Sequence, residues 1–444
     1  MNLLRITFIT ILFSACFSTA FGQEVMTLEK AISLGLENNF QIKIAEKNIE
    51  IAENNNSWAR AGRTPTIDLN ANFTNNLIKD NNPASFLNGT FFTGGLGPSL
   101  DAQWIVYNGG RIRIAKEQLE QLYLQQKLLS NSDIHNTLKD IIQQYNLVLF
   151  QQERLQVLKD IMSLSKDRLR YEETKKEFGS SNSYNLIQFE NAIITDSSNL
   201  VSQLNQIEIA KRNLYNVLDL VGYQKFDFPE TLSVEVEDID EEKLQDILSE
   251  ENYSLKSLQI LSELDQLNTK IENGSRKPTI SVSGSLGFSE NLFKFFGKDA
   301  VTSASYDAIL SNRINTNLSA NLNWRLFDGN LRKQNIENAK IQEEISQMNF
   351  LEAQAQINNQ LGILIANYDY QKELLKMADE QIILSQRNLE MTNERFKAGQ
   401  INSLDYRNVQ NQFLNAAFNK VNAIYNLIVT KSEIDWLVGR FSEL

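Results

Sequence analysis

The sequence predicts a mainly α-helical protein with a β-barrel part, in which one protomer consists of two similar halves. Three observations predict this fold class: a long internal repeat, four segments in which apolar and polar residues alternate, and two long stretches almost free of glycine and proline. The length of 444 residues would by itself suggest two or three globular domains. The repeat therefore decides how the chain is divided.

The repeat is visible in short motifs that recur at nearly constant distances. Residues 104–110 (WIVYNGG) recur as 324–330 (WRLFDGN), 220 positions later, and residues 63–67 (RTPTI) recur as 276–280 (RKPTI), 213 positions later. A unit of this length indicates a gene duplication rather than a short-period solenoid. We therefore expect the same order of elements in both halves.

The predicted division has four parts. They are a signal peptide at 1–22, a first repeat at 23–221, a linker at 222–240 and a second repeat at 241–444. Each repeat is predicted to hold an amphipathic helix, a strand hairpin and a long helical hairpin. The predicted bounds are 27–61 and 241–274 for the first helices, about 66–107 and 279–327 for the strand hairpins, and near 179 and 399 for the helical tips.

The N-terminus has the pattern of a secretory signal. An apolar stretch at 6–17 precedes Ala20 and Gly22, the small residues that a signal peptidase requires, so we expect cleavage before Gln23. An alternative treats the residues before Cys16 as an atypical lipobox, with Cys16 as an acylated anchor. Either interpretation predicts a location outside the cytoplasm. No later segment holds 18 consecutive apolar residues, so no transmembrane helix is predicted.

Four segments alternate between apolar and polar side chains. In the first half Ile67, Leu69 and Phe73 alternate with Asp68 and Asn70, and the other three segments repeat this pattern. Strands of about ten residues, apolar on one face and polar on the other, are typical of an outer-membrane barrel wall. A soluble sandwich is the alternative, but no second sheet is predicted to cover the apolar faces. Because four strands cannot close a usable barrel, several chains must share one.

Two helical stretches follow the strand hairpins. No glycine or proline occurs at 111–178, and only Gly362 interrupts 331–398, so each helix would span about 100 Å. Apolar residues at the spacing of a coiled coil predict a packed seam. The seam consists of Ile134, Leu138, Ile141, Tyr145, Val148, Leu155 and Met162. The chain is predicted to turn at Gly179 and Gly399 and to return through helices at 184–221 and 404–438.

The composition argues against an enzyme and against nucleic-acid binding. A net charge of −12 lacks the clustered cations that grip phosphates, so no nucleic-acid partner is expected. His135 is the only histidine, and its polar neighbours predict an exposed helical position without a role. Glycine-rich phosphate loops and thiol metal sites are also missing from the mature sequence. We therefore predict no enzyme, no cofactor and no metal.

At this point the sequence resembles the TolC-like outer-membrane efflux protein family over nearly its whole mature length. The duplicated layout, the two joints at 104–110 and 324–330, and the run RFKAGQINSLD at 395–405 carry the resemblance. It implies a homotrimer with a twelve-stranded barrel in outer-membrane lipid and a helical tunnel crossing the periplasm of a Gram-negative-type bacterium. It also implies a periplasmic adaptor and an inner-membrane transporter as partners, with a duct that conducts passively.

The resemblance also assigns candidate site residues. Asp405 takes the family position of an acidic residue that lines the closed periplasmic aperture, although the family's second acidic position is Asn408 here and the first-half counterpart of Asp405 is Asn185. An ordinary helix-start carboxylate is the alternative for Asp405. The predicted hairpin tips and adaptor contacts are Gly179, Ser180, Arg395, Gly399 and Gln400. The glycines could serve only the turns, and Arg395 could pair within its own tip.

Two functions of different classes follow. The first is the outer-membrane exit duct of a tripartite efflux or type I secretion system. The alternative is a non-conducting periplasmic or surface coiled-coil protein with a structural role. The four amphipathic strands favour the duct, because a stalk has no need of barrel strands in both repeats.

Overall fold

A computed structural model of the chain describes residues 24–81, 89–220, 226–297, 305 and 307–443. The predicted signal peptide and Cys16 lie outside these residues, as does part of the predicted linker. The described elements confirm a mainly helical fold with one four-stranded antiparallel sheet. The boundaries of the four predicted sequence regions stay predictions.

The first half begins with a two-residue strand and proceeds from helices to strands to helices. Its elements are β1 (Glu24–Val25), α1 (Leu28–Asn38), α2 (Phe40–Asn55), β2 (Thr66–Asp80), β3 (Gly89–Asn108), α3 (Arg111–Glu177) and α4 (Ser183–Val217). Strand β1 pairs in parallel with β4 (Phe226–Asp227), which follows the first half.

The second half repeats this order. Its elements are α5 (Glu241–Glu251), α6 (Tyr253–Gly274), β5 (Thr279–Phe296), β6 (Ile309–Asn323), α7 (Leu331–Lys397), α8 (Ser403–Leu437) and a short 3-10 helix (Arg440–Glu443). The long helices α3 and α7 have 67 residues each, and the return helices α4 and α8 have 35 each. The expectation of equal element order is confirmed.

The first helix of each half is interrupted, which corrects the prediction of single helices at 27–61 and 241–274. Asn39 and Asn252 are extended and separate α1 from α2 and α5 from α6. The side-chain amide of Asn39 donates to the carbonyl of Val217 at 2.7 Å, and that of Asn252 donates to Leu437 at 2.8 Å. Each asparagine also caps the following helix with its side-chain oxygen. The break therefore ties each first helix to the end of its return helix.

The strands are longer than the ten residues predicted, with 15 to 20 residues each. They run in the order β2-β3-β5-β6. Phe91 and Phe293 lie on the neighbouring strands β3 and β5 with ring centroids 5.3 Å apart. Strand β6 ends at Asn323, four residues before the predicted end of the second hairpin near 327.

The sheet has one apolar face that the described chain leaves uncovered. Leu69 is 78% exposed and Leu318 is 79% exposed. The apolar face crosses all four strands, where Leu69, Leu100, Leu286 and Ile314 line a common groove. The opposite face carries polar side chains, including Ser283 and Ser319, whose hydroxyls lie 2.7 Å apart. This division is the one that the alternating sequence predicts for a wall between lipid and water.

The chain forms two compact units that cut across the sequence repeats. One unit comprises residues 48–128 and 256–352, which include the sheet. The other comprises residues 1–47, 129–255 and 353–444, of which the described part holds the helical cores. One core centres on Ile141 and Val148, and the second centres on Leu361 and Tyr368 at the corresponding places of the second repeat.

The predicted seam of α3 is packed, but the prediction that His135 is exposed is wrong. The side chain of His135 is only 7% exposed because Tyr253 and Phe441 cover it. Its Nε2 atom lies 3.2 Å from the hydroxyl of Tyr253. Burial lowers the pKa of His135 below its usual value. Polar neighbours in sequence misled the prediction because the covering residues come from distant parts of the chain.

Candidate functional site at the helical hairpin tips

Both helical hairpins turn on a glycine with left-handed backbone geometry. Gly179 has φ of +70° and Gly399 has φ of +72°. The amide of Ser180 donates to the carbonyl of Lys175 at 2.8 Å, and that of Gln400 donates to Arg395 at 2.9 Å. This is the Schellman pattern that closes a helix C-terminus. A methyl group added at either glycine would meet no other atom, so backbone geometry alone accounts for the glycines.

The return helices begin with the same cap in both halves. The side chain of Asn182 accepts a hydrogen bond from the amide of Asn185 at 2.9 Å, and Asn402 accepts one from Asp405 at 2.8 Å. Asp405 therefore lies in the first turn of α8, where a carboxylate interacts favourably with the helix dipole. Its side chain is exposed to solvent. A carboxylate held there can attract cations.

A group of four buried residues, three of them aromatic and here called the tip cluster, joins the two hairpins. Phe189, Leu389, Phe396 and Tyr406 are buried together. The ring of Phe396 lies 5.7 Å from that of Phe189 and 5.2 Å from that of Tyr406 between centroids. The hydroxyl of Tyr171 donates to the carbonyl of Lys397 at 3.0 Å, which adds a polar tie between the hairpins. The tip cluster fixes the two turns as one structure.

A buried polar network connects three helices and lies further from the two turns than the tip cluster does. The carboxylate of Asp196 on α4 accepts hydrogen bonds from the guanidinium of Arg407 on α8 and from the hydroxyl of Ser165 on α3. The Nη1 and Oδ2 atoms of the Arg407–Asp196 pair are 2.9 Å apart. Gln410 donates to Ser165 at 2.9 Å and to the carbonyl of Ile161 at 3.1 Å. Every partner of Asp196 is thus intramolecular.

A buried cation, Arg168, lies one turn nearer the tip. The guanidinium of Arg168 packs against the rings of Tyr406 and Tyr171, 5.5 Å and 5.9 Å from their centroids. Its Nε and Nη1 atoms are buried and have no hydrogen-bond partner among the described residues. Glu172, one turn further along α3, is also buried and accepts from the hydroxyl of Ser181. The aromatic faces partly compensate the charge of Arg168.

The sequence-predicted site residues lie at the surface around these buried groups. Gly179, Ser180, Gly399 and Gln400 form the exposed turns, and Arg395 is exposed at the end of α7. Arg395 forms no ion pair within the described part of the tip, where its neighbour Glu394 binds Lys397 at 2.8 Å. The aperture and adaptor roles of these residues stay predictions.

Sequence reasoning did not find Asp196, Arg407 or Arg168. The sequence does contain a signal for the Asp196–Arg407 pair. Asp196 lies on the same face of α4 as the buried apolar residues Phe189 and Ala192. A charge on an apolar face implies a partner, but the sequence does not say which of many cations supplies it. The pairing residue, Arg407, lies 211 positions away.

The described residues hold no cluster of acidic, histidine or cysteine side chains that could bind a metal ion. In the same residues, no helix combines the length and apolar composition needed to cross a bilayer.

A known protein family matches the chain in two segments, as the duplicated fold does. A sequence model of the outer membrane efflux protein family matches residues 31–219 and 246–440, one segment in each half. A sheet with an uncovered apolar face, joined to paired helical hairpins, agrees with this class of outer-membrane protein. The chain belongs to the outer membrane efflux protein family, and its location is the outer membrane. No curated protein matches the chain.

Solved structures share the fold at low sequence identity. The CmeC outer membrane channel of Campylobacter jejuni is 16% identical with a TM-score of 0.75, covering 95% of this chain and 90% of that one. VceC of Vibrio cholerae is 12% identical with a TM-score of 0.71, covering 93% and 96%. The open-state MtrE channel of Neisseria gonorrhoeae is 15% identical with a TM-score of 0.72, covering 93% and 88%. At these identities the likeness extends to the fold alone.

Proposed function

We propose that the protein is the outer-membrane exit duct of a tripartite efflux or type I secretion system and that it works as a homotrimer. A periplasmic adaptor and an inner-membrane transporter would deliver substrates, which pass through the duct to the exterior. The single observation that carries this proposal is the four-stranded sheet whose apolar face and two outer edges have no partner within the described chain.

The strand count supports three copies. Open sheet edges are not tolerated in lipid, so the four strands must join those of other copies in a closed barrel. Two copies would supply eight strands, a number at which side chains fill the interior of a barrel. Three copies supply twelve strands and are the smallest set that leaves an open lumen.

The helical hairpins support a tunnel built from long helices. Helices α3 and α7 each extend for 67 residues, or about 100 Å. In the proposed trimer the six hairpins would enclose the path, and Asp405 would stand near its entrance. The exposed turns at Gly179, Ser180, Arg395, Gly399 and Gln400 would form the surface that contacts the adaptor.

A passive role without catalysis agrees with the chemistry of the tip. The buried ionisable groups there have partners within the chain: Arg168 packs on aromatic rings, and Glu172 accepts a hydrogen bond from Ser181. The carboxylate of Asp196, for example, is used by Arg407 and Ser165. Movement of substrate through the duct would then draw on energy supplied by the inner-membrane transporter.

The test pairs the mass of the detergent-solubilised protein with single-channel recordings in a planar bilayer. We expect a particle of three chains that conducts ions. A trimer that stays silent both in the parent protein and in the Asp405→Ala variant would refute conduction. A water-soluble monomer without channel activity would instead favour the coiled-coil structural protein.

A further inference from the structure

The two outer edges of the four-stranded sheet have no partner strand among the described residues. Strand β2 pairs only with β3, and β6 pairs only with β5. The inner strands β3 and β5 pair with each other as well. Closing the barrel of the proposed function therefore requires β6 of one copy to pair with β2 of the next copy. The inference below rests on that proposed function.

The internal repeat supplies the register of this missing pair. Within the first half Thr66 pairs with Gln103, and within the second half Thr279 pairs with Asn323. The partners are related by shifts of 213 and 220 positions, the distances at which the sequence repeats. The β3–β5 pairing joins the two halves. When residue numbers are raised by 220 in β3 and lowered by 213 in β5, this pairing becomes one between β6 and the β2 of another copy.

We propose that β6 and its continuation to Asp328 pair with β2 of the next copy in the register that this shift gives. Within the chain Trp104 is opposite Val282 and Ile105 is opposite Ser281, and a bulge follows before Tyr107. The shifted register places Trp324 opposite the next copy's Leu69 and Arg325 opposite its Asp68. The extra residue of the bulge is then Leu326.

The side chains brought together by this register match in polarity. Apolar residues face apolar residues, and polar residues face polar ones, which a slip by one position would reverse. The apolar pairs are Trp324 with Leu69, Leu322 with Ala71, and Ala320 with Phe73. The polar pairs are Arg325 with Asp68, Asn323 with Asn70, and Asn321 with Asn72.

Asp68 and Arg325 complement each other in charge. Asp68 lies directly opposite Asp101 on β3, and like charges opposite each other destabilise a sheet. Asp101 is bound by Asn70 at 2.9 Å and Ser99 at 2.7 Å, whereas Asp68 forms no ion pair within the described chain. A cation from the next strand would offset this pair of carboxylates.

Arg325 offers that cation. It lines a cavity with Arg276 and Arg332, and the one carboxylate among the lining residues, Asp328, is bound by Arg332 at 2.6 Å. Arg325 forms no ion pair with any residue the structure describes, although its charge also acts favourably on the carboxylate of Asp328. At the corresponding place inside the chain, Ile105 faces Ser281, so the charged pair is peculiar to the contact between copies.

No strand of the described chain lies beside residues 324–327, which also explains why β6 ends earlier than β3 does at the corresponding joint. Residues 104–108 continue β3 because β5 lies beside them, while residues 324–327 are not part of β6. The side chain of Trp324 nevertheless donates to the carbonyl of Arg276 at 3.1 Å, as Trp104 does to Arg63 at 2.8 Å. The segment is therefore already positioned for the strand that would complete it.

Disulfide formation between cysteine pairs tests the register in the full-length protein in membranes. We expect Asn323→Cys with Asn70→Cys, and Leu322→Cys with Ala71→Cys, to link copies into dimers and trimers on non-reducing gels. Opposite residues lie about 5 Å apart, whereas diagonal ones lie about 7 Å apart or more, beyond comfortable disulfide reach. Asn323→Cys with Asn72→Cys or with Asp68→Cys is thus expected to link at least about tenfold less.

Matched controls make each outcome decisive. Gln103→Cys with Ser283→Cys places the same geometry inside one chain, where the register is known. The single-cysteine variants account for any links through Cys16. Strong links only in a shifted pair, in a trimer that conducts, would overturn the register and leave the proposed function intact. Loss of both the trimer and conduction in the parent protein would instead overturn the proposed function.

Charge reversal is a second, independent test, which addresses the Arg325–Asp68 pair. We expect Arg325→Glu to lower the fraction of trimer that survives unheated detergent gels by about threefold per interface. Adding Asp68→Lys to that variant is expected to restore the trimer. Equal trimer stability in the parent, single and double variants would overturn the Arg325–Asp68 pairing even if cysteine links form.

Discussion

The guanidinium of Arg407 on α8 binds the carboxylate of Asp196 on α4 within the helical part of the protein, with 2.9 Å between Nη1 and Oδ2. The side chain of Asp196 is only 2% exposed, so its charge depends on this partner and on Ser165. The contact joins the return helices of the two hairpins. It makes the position of α8 depend on the first half of the chain.

Replacing Arg407 with Ala is expected to loosen the tips. The substitution leaves the Asp196 carboxylate buried without its cation, which costs about 3 kcal/mol. Hydrogen exchange of the amides around residue 407 should therefore become about a hundredfold faster. The matched control is Lys397→Ala, which breaks an exposed ion pair with Glu394 and should cost under about 1 kcal/mol. Equal effects of the two variants would show that the buried pair is not stabilising.

Two glycine substitutions in the second hairpin should have opposite effects. Gly399→Ala forces a side chain into a left-handed turn and is expected to destabilise the tip by about 1 kcal/mol. Gly362→Ala lies inside α7, where an added methyl group meets no other atom, and should stabilise the helix by up to about 1 kcal/mol. Local hydrogen exchange measures both. A neutral Gly399→Ala would remove backbone geometry as the reason for that glycine.

Asp405→Asn should weaken block of the channel by divalent cations. Losing a carboxylate near the proposed entrance removes about 1 kcal/mol of attraction per charge, or about a fivefold change in the blocking concentration. Asn408→Asp, one turn further along α8, should change block in the opposite direction. Single-channel recordings with increasing divalent cation provide the measurement, and unchanged block in both variants would exclude Asp405 from the aperture.

The buried His135 predicts a loss of stability in acid. Burial lowers its pKa in the folded state, so the unfolded chain binds a proton more readily. The stability from the neutral ring is present above the unfolded pKa of about 6.5 and is lost as the pH falls towards the lowered folded value. His135→Phe should reduce the drop in the unfolding midpoint between pH 7.5 and 5.5. Tyr253→Phe keeps the titrating ring and is the control; the same drop in His135→Phe as in the parent would contradict the prediction.

Local sequence signals predicted the elements well and their ends less well. The alternation around Leu69 and Leu318 and the glycine-free stretches identified strands and helices, because period and backbone preference are local properties. The interruptions at Asn39 and Asn252 were not predicted, since each depends on a carbonyl at the end of a helix far along the chain. The end of β6 was misplaced because no described strand lies beside residues 324–327, and the alternation in sequence does not show this.

Four features could be predicted from the sequence alone: the duplicated layout, the amphipathic strands, the long helices and the glycine turns at Gly179 and Gly399. These features follow from periodicity and from the backbone conformations that each residue allows. Only the tertiary structure decided that Asp196 meets Arg407, that Arg168 packs between tyrosines and that His135 is buried. Those contacts join residues far apart in the chain, and their energies depend on distances that a linear sequence does not specify.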